Sequence, residues 1–157
     1  PNTLGISYMI GVVNALSSDR SWRMRATMER DGKLDTVERD YVLCAVGNAR
    51  YYGGGFLPHP GAKINDGLAN ILTARPLKVL EIAKLLGKFR RGETIPADIA
   101  TYEQASSVSI EAVDSELVLT LDGEGYFADS VRVDTVPNVL SVALPCSWGL
   151  PPAFQAN

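Results

Sequence analysis

The stretch SVSIEAVDSELVLTLDGE, residues 107–124, decides the fold class. Apolar and polar residues alternate on both sides of an Asp114-Ser115 turn, as expected of strands whose successive side chains point to opposite faces. The apolar positions are Val108, Ile110 and Ala112 before the turn, and Leu117, Leu119 and Leu121 after it. The pattern predicts two antiparallel strands.

Further strands are predicted on either side of this stretch. Residues 23–48 read as a hairpin that turns at Asp31-Gly32, a dipeptide that tolerates positive φ. The run YVLCAV, residues 41–46, is continuously apolar, which is typical of a strand covered on both faces. The segments VRVD, residues 131–134, and VLSVALP, residues 139–145, predict two more strands.

Two helices are predicted. The first, LGISYMIGVVNAL, covers residues 4–16 and has a buried face. A span of the bilayer needs about 20 apolar residues, so this segment is too short to cross a membrane. It also lacks the basic leader and cleavage site of a signal peptide.

The second helix covers residues 75–92, with Pro76 in its first turn and Gly92 at its end. An apolar stripe follows the helical period at Val79, Ile82, Leu86 and Phe89. A separate basic stripe consists of Lys84, Lys88 and Arg91. That stripe could touch anionic lipid headgroups, although an ordinary solvated helix face explains it equally well.

These elements predict a mainly β fold with two helices, arranged as a mostly antiparallel sandwich in one domain over residues 1–157. The chain is 46% hydrophobic, enough for a sizeable core. Its net charge of −3 argues against a nucleic-acid partner. Cys44 lies in an apolar run far from Cys146, so it is predicted to be a small buried residue in a reducing, cytoplasmic protein.

Several chemistries are excluded by the motifs. One histidine cannot make a histidine-rich zinc site, and neither a GxxxxGK[ST] loop nor a strand–GxGxxG–helix pattern occurs. A Ser-His-Asp triad would have to use His59, which sits between two prolines. We interpret His59 as a solvated loop histidine.

Two acidic turns remain as candidate sites. In KINDGL, residues 63–68, Asp66 and neighbouring backbone carbonyls could hold Mg²⁺ or Ca²⁺. The alternative is an Asx turn in which Asp66 bonds only its own backbone. In LTLDGEG, residues 119–125, Asp122 and Glu124 close a strand and could accept a proton from an attacking hydroxyl. The alternative is a plain Asp-Gly hairpin turn.

Together these stretches resemble a known superfamily. The segment VGNARYYGGGFLPHPGAKINDGL, residues 46–68, resembles the hallmark segment of the diacylglycerol kinase and sphingosine kinase superfamily, most of all its soluble bacterial lipid kinases. The later Asp122-Gly123-Glu124 also matches the family pattern. The matching hallmark residues are Gly47, Asn48, Gly53, Gly54, Gly55, Pro60, Ala62, Ile64, Asp66, Gly67 and Leu68.

The resemblance implies a β-sandwich-like C-terminal domain similar to that of NAD kinases and lipid kinases. It implies transfer of the γ-phosphate of ATP to a lipid hydroxyl, of diacylglycerol or sphingoid-base type. Asp66 matches the family's Mg²⁺ ligand, with the carbonyls of Lys63 and Leu68 as companions. Asp122 and Glu124 match the acidic pair near the acceptor hydroxyl, and either could be the base.

The resemblance gives the three glycines a role as well. Gly53, Gly54 and Gly55 would let backbone approach a substrate and form one wall of a cleft. The alternative is a bulge or a close strand contact inside the sandwich.

One part of the family pattern is absent. The chain has no Gly-Gly-Asp-Gly-Thr motif, so the N-terminal nucleotide-binding domain that would hold ATP is expected to be missing from it, and this chain alone is expected to be inactive. The expected partners are a lipid substrate, that N-terminal domain and the inner face of the membrane. The sequence is also compatible with a homodimer. The alternatives are a non-catalytic lipid-binding module and a domain of an NAD-kinase-like enzyme.

Overall fold

A computed structural model of the protein describes residues 21–52, 56–141 and 143. The predicted first helix, residues 4–16, lies outside these ranges. Within them, no helix is long and apolar enough to cross a membrane. The described elements are β1 (Trp22–Arg30), β2 (Lys33–Tyr41), β3 (Leu43–Gly47), β4 (Ala69–Ala74), α1 (Val79–Arg91), β5 (Ala100–Ala105), β6 (Ser107–Ala112), β7 (Leu117–Leu121), β8 (Glu124–Ala128) and β9 (Ser130–Asp134).

The strands form three antiparallel sheets. The four-stranded sheet has the order β2-β1-β6-β9, the three-stranded sheet the order β3-β4-β5, and β7 pairs with β8. The predicted hairpin at Asp31-Gly32 is confirmed, since β1 and β2 pair across a turn in which these residues have φ of 50° and 72°. Two successive positive φ values give a turn whose twist matches that of the strands.

The first apolar cluster lies between the four-stranded and three-stranded sheets. Met24 and Met28 of β1 pack there with Val108 and Ile110 of β6 and with Ile71 of β4. The predicted alternation along β6 is therefore confirmed. The predicted pairing across the Asp114-Ser115 turn is wrong, since β6 pairs with β1 and β9 whereas β7 pairs with β8. The stripe on β7 is confirmed only at its beginning, because its exposure increases toward the hairpin tip: Leu117 is buried, Leu119 is half-buried and Leu121 is 49% exposed.

The second apolar cluster lies between the three-stranded sheet and α1. Leu72 of β4 and Ala45 of β3 pack there, and Leu85 of α1 packs against them. Cys44 and Val46 of β3 pack against the first cluster. The three-stranded sheet is thus the middle layer, and the prediction of a strand covered on both faces is confirmed for residues 43–46, whereas Tyr41 ends β2 and Val42 lies between the two strands. Strands β4, β5 and β8 were not predicted.

Helix α1 begins four residues later than predicted. Its first turn is held by Glu81, whose carboxylate accepts from the Lys78 backbone N–H at 2.8 Å and from Arg75 at 3.0 Å. These contacts lower the pKa of Glu81. The first of these bonds satisfies the backbone N–H of Lys78, the residue before the helix, which has no partner within the helix. Gly92 follows the helix with φ of 69°.

The structure describes the predicted apolar and basic stripes of α1 to different extents. Ile82 is buried, as predicted for the apolar stripe, whereas the side chains of Val79, Leu86 and Phe89 lie outside the described part. In the basic stripe, Lys88 and Arg91 are exposed, and Lys84 has no described side chain. Arg91 forms an ion pair with Glu93 at 2.5 Å.

The predicted strand over residues 139–145 is not formed in the described part of that segment. Residues 139–141 and 143 belong to no strand. Pro137 and Asn138 form a turn that Thr135 and Val136 separate from β9, with φ of 60° at Asn138. Val139 and Leu140 beyond it are exposed.

Candidate functional site

The turn at residues 63–68 is the last part of the loop between β3 and β4. Asp66 is exposed, and its Oδ1 accepts from the backbone N–H of Leu68 at 3.0 Å. Gly67 has φ of 74°. The Asx turn weighed for Asp66 is therefore present. An Asx bond of this kind uses only part of the acceptor capacity of a carboxylate, so it is compatible with a cation beside Asp66.

Asn48, the first residue after β3, points its side-chain amide at this turn. Its Nδ2 lies 3.4 Å from the carbonyl oxygen of Ile64. With nitrogen and oxygen of the amide exchanged, the nitrogen donates to the carbonyl of Lys63 at 3.2 Å and to that of Leu68 at 3.1 Å. The two ends of an amide are distinguished by their partners. Three backbone carbonyls therefore converge on one side-chain amide.

The turn presents the Asp66 carboxylate and backbone carbonyl oxygens, which are the ligand types that a hard cation takes. The two carbonyl oxygens nearest Asn48 are satisfied by its amide nitrogen, at 3.2 and 3.1 Å. Among the described residues, no three His, Cys, Asp or Glu side chains group together as a metal site. A cation here would rely on carbonyl and amide oxygens with Asp66.

The three glycines of the hallmark segment, Gly53, Gly54 and Gly55, lie outside the described ranges. The residues that flank them are joined, since the backbone N–H of Tyr52 donates to the carbonyl of Phe56 at 2.9 Å. Tyr52 also donates its hydroxyl to the Val46 carbonyl at 3.1 Å. The cleft role of the three glycines stays a prediction.

Asp122 and Glu124 lie at the tip of the β7–β8 hairpin. Asp122 and Gly123 form the turn with φ of 49° and 97°, so the weighed Asp-Gly hairpin turn is present. Glu124 begins β8, and its Oε2 accepts from the hydroxyl of Tyr126 at 2.8 Å. That hydrogen bond raises the pKa of Tyr126. Both carboxylates are exposed, and Glu124 is the one for which a side-chain contact is seen.

The interpretation of His59 as a solvated loop histidine is wrong. His59 is only 2% exposed, and its carbonyl accepts from the Ala62 N–H at 3.0 Å in a turn of the loop. Its ring stacks edge-on against Tyr52 with centroids 5.7 Å apart. Burial lowers the pKa of His59 to about 4. The prolines on either side, Pro58 and Pro60, give the sequence signal for a rigid loop, but not the direction in which the ring points.

The sequence motifs did not single out the role of two amides. Asn48 was matched only as part of a glycine-asparagine pair, and Asn70 was not noticed. Asn70 lies on β4, is 6% exposed and accepts at Oδ1 from Gln104 Nε2 at 3.1 Å. An asparagine in a strand with β-branched and aliphatic neighbours is itself a signal, since asparagine is depleted from strands.

Residues 2–144 match a family model described as "YegS C-terminal NAD kinase beta sandwich-like domain". The chain is 34% identical over 115 residues to a Stenotrophomonas maltophilia protein named "Probable lipid kinase YegS-like", covering 72% of this chain and 37% of that protein. It is 28% identical over 138 residues to a "Diacylglycerol kinase" of Mycobacterium tuberculosis, covering 88% and 43%. The chain thus spans less than half the length of these relatives.

The fold is also that of a solved structure. A crystal structure of a diacylglycerol kinase from Bacillus anthracis strain Sterne superposes with a TM-score of 0.57. Sequence identity is 22%, and the superposition covers 80% of this chain and 44% of that one. At this identity the similarity establishes the fold alone.

Proposed function

Because the chain belongs to the YegS C-terminal NAD kinase β-sandwich-like domain family, we propose that it forms the acceptor side of an ATP-dependent lipid kinase. The family match over residues 2–144 carries the proposal. The relatives named lipid kinase and diacylglycerol kinase support a lipid hydroxyl as the phosphate acceptor. We expect diacylglycerol or a sphingoid base, phosphorylated in the cytoplasm at the inner face of the membrane.

Glu124 is our candidate for the general base. A base must hold its carboxylate near the hydroxyl whose proton it removes. Glu124 lies at the start of β8, and the Tyr126 hydroxyl donates a hydrogen bond to its carboxylate from the same face of the hairpin. Asp122, in the turn, would add negative charge beside the same hydroxyl or act as the base itself.

ATP would be held mainly by an N-terminal nucleotide-binding domain in the complete protein. Mg²⁺ would be held by the Asp66 carboxylate and by the carbonyls of Lys63 and Leu68, with the Asn48 amide beside them. When bound, the ion would stiffen the turn and supply positive charge to a site that handles phosphate. Phosphoryl transfer depends mainly on such positioning and charge neutralisation.

The test is phosphate transfer from ATP by the complete gene product to diacylglycerol, a sphingoid base and NAD. We expect transfer to one lipid, and a loss of about 10²- to 10⁴-fold in kcat for Glu124→Gln, the usual contribution of a positioned base. Asp122→Asn serves as the matched amide variant, because asparagine tolerates the positive φ at this turn. A larger loss in Asp122→Asn than in Glu124→Gln would move the base to Asp122.

Tyr126→Phe provides the positioning control. Removing the hydroxyl leaves the Glu124 carboxylate in place without its 2.8 Å donor, so a smaller loss than in Glu124→Gln is expected. Transfer to NAD alone would favour the NAD-kinase-like alternative. Lipid binding without any transfer would favour the non-catalytic module.

A further inference from the structure

Arg50 lies in the loop between β3 and β4, and its guanidinium is held on one side only. Its Nε donates to the carbonyl oxygen of Pro60 at 2.7 Å. The N–H groups on Nη1 and Nη2 have no partner among the described residues. Neither nitrogen is one of the buried polar atoms that lack a partner in this part of the chain. Both Nη atoms of Arg50 are therefore accessible to a ligand.

Most other described arginines are already neutralised by a carboxylate. Those that form such ion pairs are Arg23, Arg25, Arg30, Arg75, Arg91 and Arg132. Arg39 forms none within the described ranges but is exposed on β2, whereas Arg50 is half-buried and anchored. A guanidinium that is fixed through Nε and open at both Nη atoms presents a planar pair of donors. That pair matches two oxygens of a phosphate group.

The sequence around Arg50 supplies no negative charge to balance it. Residues 41–65 contain no aspartate or glutamate, although the chain has 18 of them. The basic residues of this segment are Arg50 and Lys63. His59 is neutral near pH 7, because burial lowers its pKa to about 4. The segment is thus positively charged in a chain whose net charge is −3, and a local excess of positive charge attracts anions.

Arg50 also belongs to the same loop as the candidate cation turn. Asn48 reaches from the end of β3 to the carbonyls of Lys63 and Leu68. Two residues later in the chain, Arg50 reaches to the carbonyl of Pro60. A phosphate on Arg50 and a cation on the turn would therefore share one loop. Phosphoryl-transfer sites neutralise phosphate with cations of both kinds, arginine and metal.

We propose that Arg50 is a phosphate-binding side chain, which donates from Nη1 and Nη2 to two oxygens of one phosphate group. This inference rests on the proposed function, because it assigns the neutralisation of phosphate at that site to a named residue. The phosphate has two chemical sources: the terminal phosphates of a nucleotide, or the phosphomonoester of a lipid product. The bond to Pro60 fixes the guanidinium before the ligand arrives, which reduces the entropy lost on binding.

Pairs of ligands with and without phosphate provide the test. Isothermal titration calorimetry on the complete gene product with Mg²⁺ would compare ADP with adenosine, and dihexanoyl phosphatidate with dihexanoylglycerol. In Arg50→Gln we expect the affinity for at least one phosphorylated ligand to fall about 10- to 100-fold, the usual contribution of hydrogen bonds between charged groups. The affinity for its counterpart without phosphate should not change.

The outcomes identify the source of the phosphate or overturn the proposal. A loss for ADP alone identifies the nucleotide, and a loss for phosphatidate alone identifies the lipid product. A loss for both identifies a position that the transferred phosphate occupies before and after transfer. If a phosphorylated ligand and its counterpart lose affinity equally, Arg50 only holds the loop and the proposal is wrong. It is also wrong if the wild type binds neither phosphorylated ligand, or if Arg50→Gln binds both as the wild type does.

Two further variants complete the set. Arg39→Gln is the matched control, because it removes an exposed arginine that forms no ion pair within the described ranges; it should bind every ligand as the wild type does. Arg50→Lys keeps the positive charge and loses the planar pair of donors, so it should recover only part of the affinity. If Arg50→Gln does not fold, Arg50→Lys decides: wild-type affinity for both phosphorylated ligands would overturn the proposal.

The inference and the proposed function can fail separately, because the binding measurements need no phosphate transfer. A gene product that binds a phosphorylated ligand through Arg50 but transfers no phosphate would refute the proposed function alone. A gene product that phosphorylates a lipid, with kcat and KM unchanged in Arg50→Gln, would refute the role of Arg50 alone.

Discussion

Asn48 can hold the turn at residues 63–68 with either end of its amide. With nitrogen toward the turn, it donates to the carbonyls of Lys63 and Leu68. With oxygen toward the turn, it can join the same carbonyls around a cation, because amide oxygens are ordinary ligands for Mg²⁺ and Ca²⁺. Asn48 therefore satisfies the turn by itself through its amide nitrogen, and would become a ligand only if a cation bound there.

Substituting Asn48 by aspartate should make the protein depend on divalent cations. In Asn48→Asp the new carboxylate faces two carbonyl oxygens without a donor, so we expect the melting temperature to fall in chelator. It should recover more with Mg²⁺ or Ca²⁺ than the wild type does. Calorimetry with EDTA and with each ion provides the measurement.

Asp66→Asn is the companion variant. It keeps the Asx turn and removes the charge, so the cation response should shrink. If neither Mg²⁺ nor Ca²⁺ changes the melting temperature of the wild type or of Asn48→Asp, the cation site is contradicted.

His59 should make the free energy of unfolding depend on pH. Its folded pKa of about 4 lies below the unfolded value of about 6.5. The unfolded chain therefore binds the proton first, and the stabilisation that is complete above pH 6.5 is lost as the pH falls toward 4. Between pH 7 and 4.5 the loss from this group should be about 2 to 3 kcal/mol.

Urea denaturation at both pH values, on wild type and His59→Gln, checks this expectation. The variant should be less stable overall at pH 7, but its stability should fall less on acidification. Equal losses in the two proteins would show that His59 is protonated without unfolding.

The roles of the candidate residues could be predicted where they depend on neighbours in sequence, and not where they depend on distant segments. Asp66 and Asp122 sit in turns that their own neighbours determine, and both turns formed as the sequence allows. The roles of Asn48, His59 and Asn70 depend on segments distant in the chain. The sequence around His59 has no periodicity or spacing from which its burial, or the contact of its ring with Tyr52, could be predicted.

The end of α1 is locked by Gly92. Its φ of 69° is favourable only without a Cβ, and a Cβ built there would collide with the side chain of Leu57, whose Cγ would lie 3.1 Å away. The helix end is therefore joined to the loop that carries His59.

A pair of glycine substitutions on α1 tests this lock. Gly92→Ala should lower the free energy of unfolding by about 2 to 4 kcal/mol, from left-handed strain and overpacking together. Gly87→Ala should raise it by up to about 1 kcal/mol, since its Cβ would meet only the flexible end of Arg91 at 3.3 Å. Chemical denaturation measures both.

Leu57→Ala in the Gly92→Ala background separates the two costs. Relief of the collision should return part of the lost stability, and the cost of the positive φ should remain. Gly92→Ala as stable as wild type would show that the helix end is not locked.

Strands β4 and β5 escaped prediction because of where they lie. All six residues of β4 are buried, so ANILTA shows no alternation of apolar and polar positions. Strand β5 shows no clear alternation of apolar and polar residues, because it contains two consecutive polar residues. Glu103 forms an ion pair with Arg30, and Gln104 donates to the Asn70 amide. The hairpin of β1 and β2 and the alternating β6 were predicted, since each has one polar face or a clear turn.

The described part of the basic stripe on α1 offers a membrane only limited positive charge. The net charge of the chain is −3, and Arg91 of the basic stripe is held by Glu93. The β7–β8 hairpin instead exposes the cross-strand pair Val118 and Phe127, at 60% and 72%. We therefore expect any contact with lipid to be made by the apolar side chains of Val118 and Phe127 rather than by the basic stripe.

Vesicle sedimentation should reflect this distribution. We expect Val118→Ser with Phe127→Ser to reduce binding to phosphatidylglycerol vesicles by several-fold, and Lys88→Gln with Arg91→Gln to change it little. Binding should also persist from 0.15 to 0.5 M salt, because apolar contacts are not screened. A steep salt dependence, with loss in the Lys88 and Arg91 variant, would restore the basic stripe as the contact.

The pairing of β1 with β6 determines when this molecule can be completed during synthesis. The ion pair between Arg25 and Glu111 on these strands joins residues 86 positions apart. Until the ribosome has released β6, the β1–β2 hairpin waits with an unpaired edge and an uncovered face that includes Met24 and Met28. Non-local closure of this kind is slow, and open edges recruit other chains. The nascent protein should therefore need its greatest protection from chaperones while residues between the two strands are being translated.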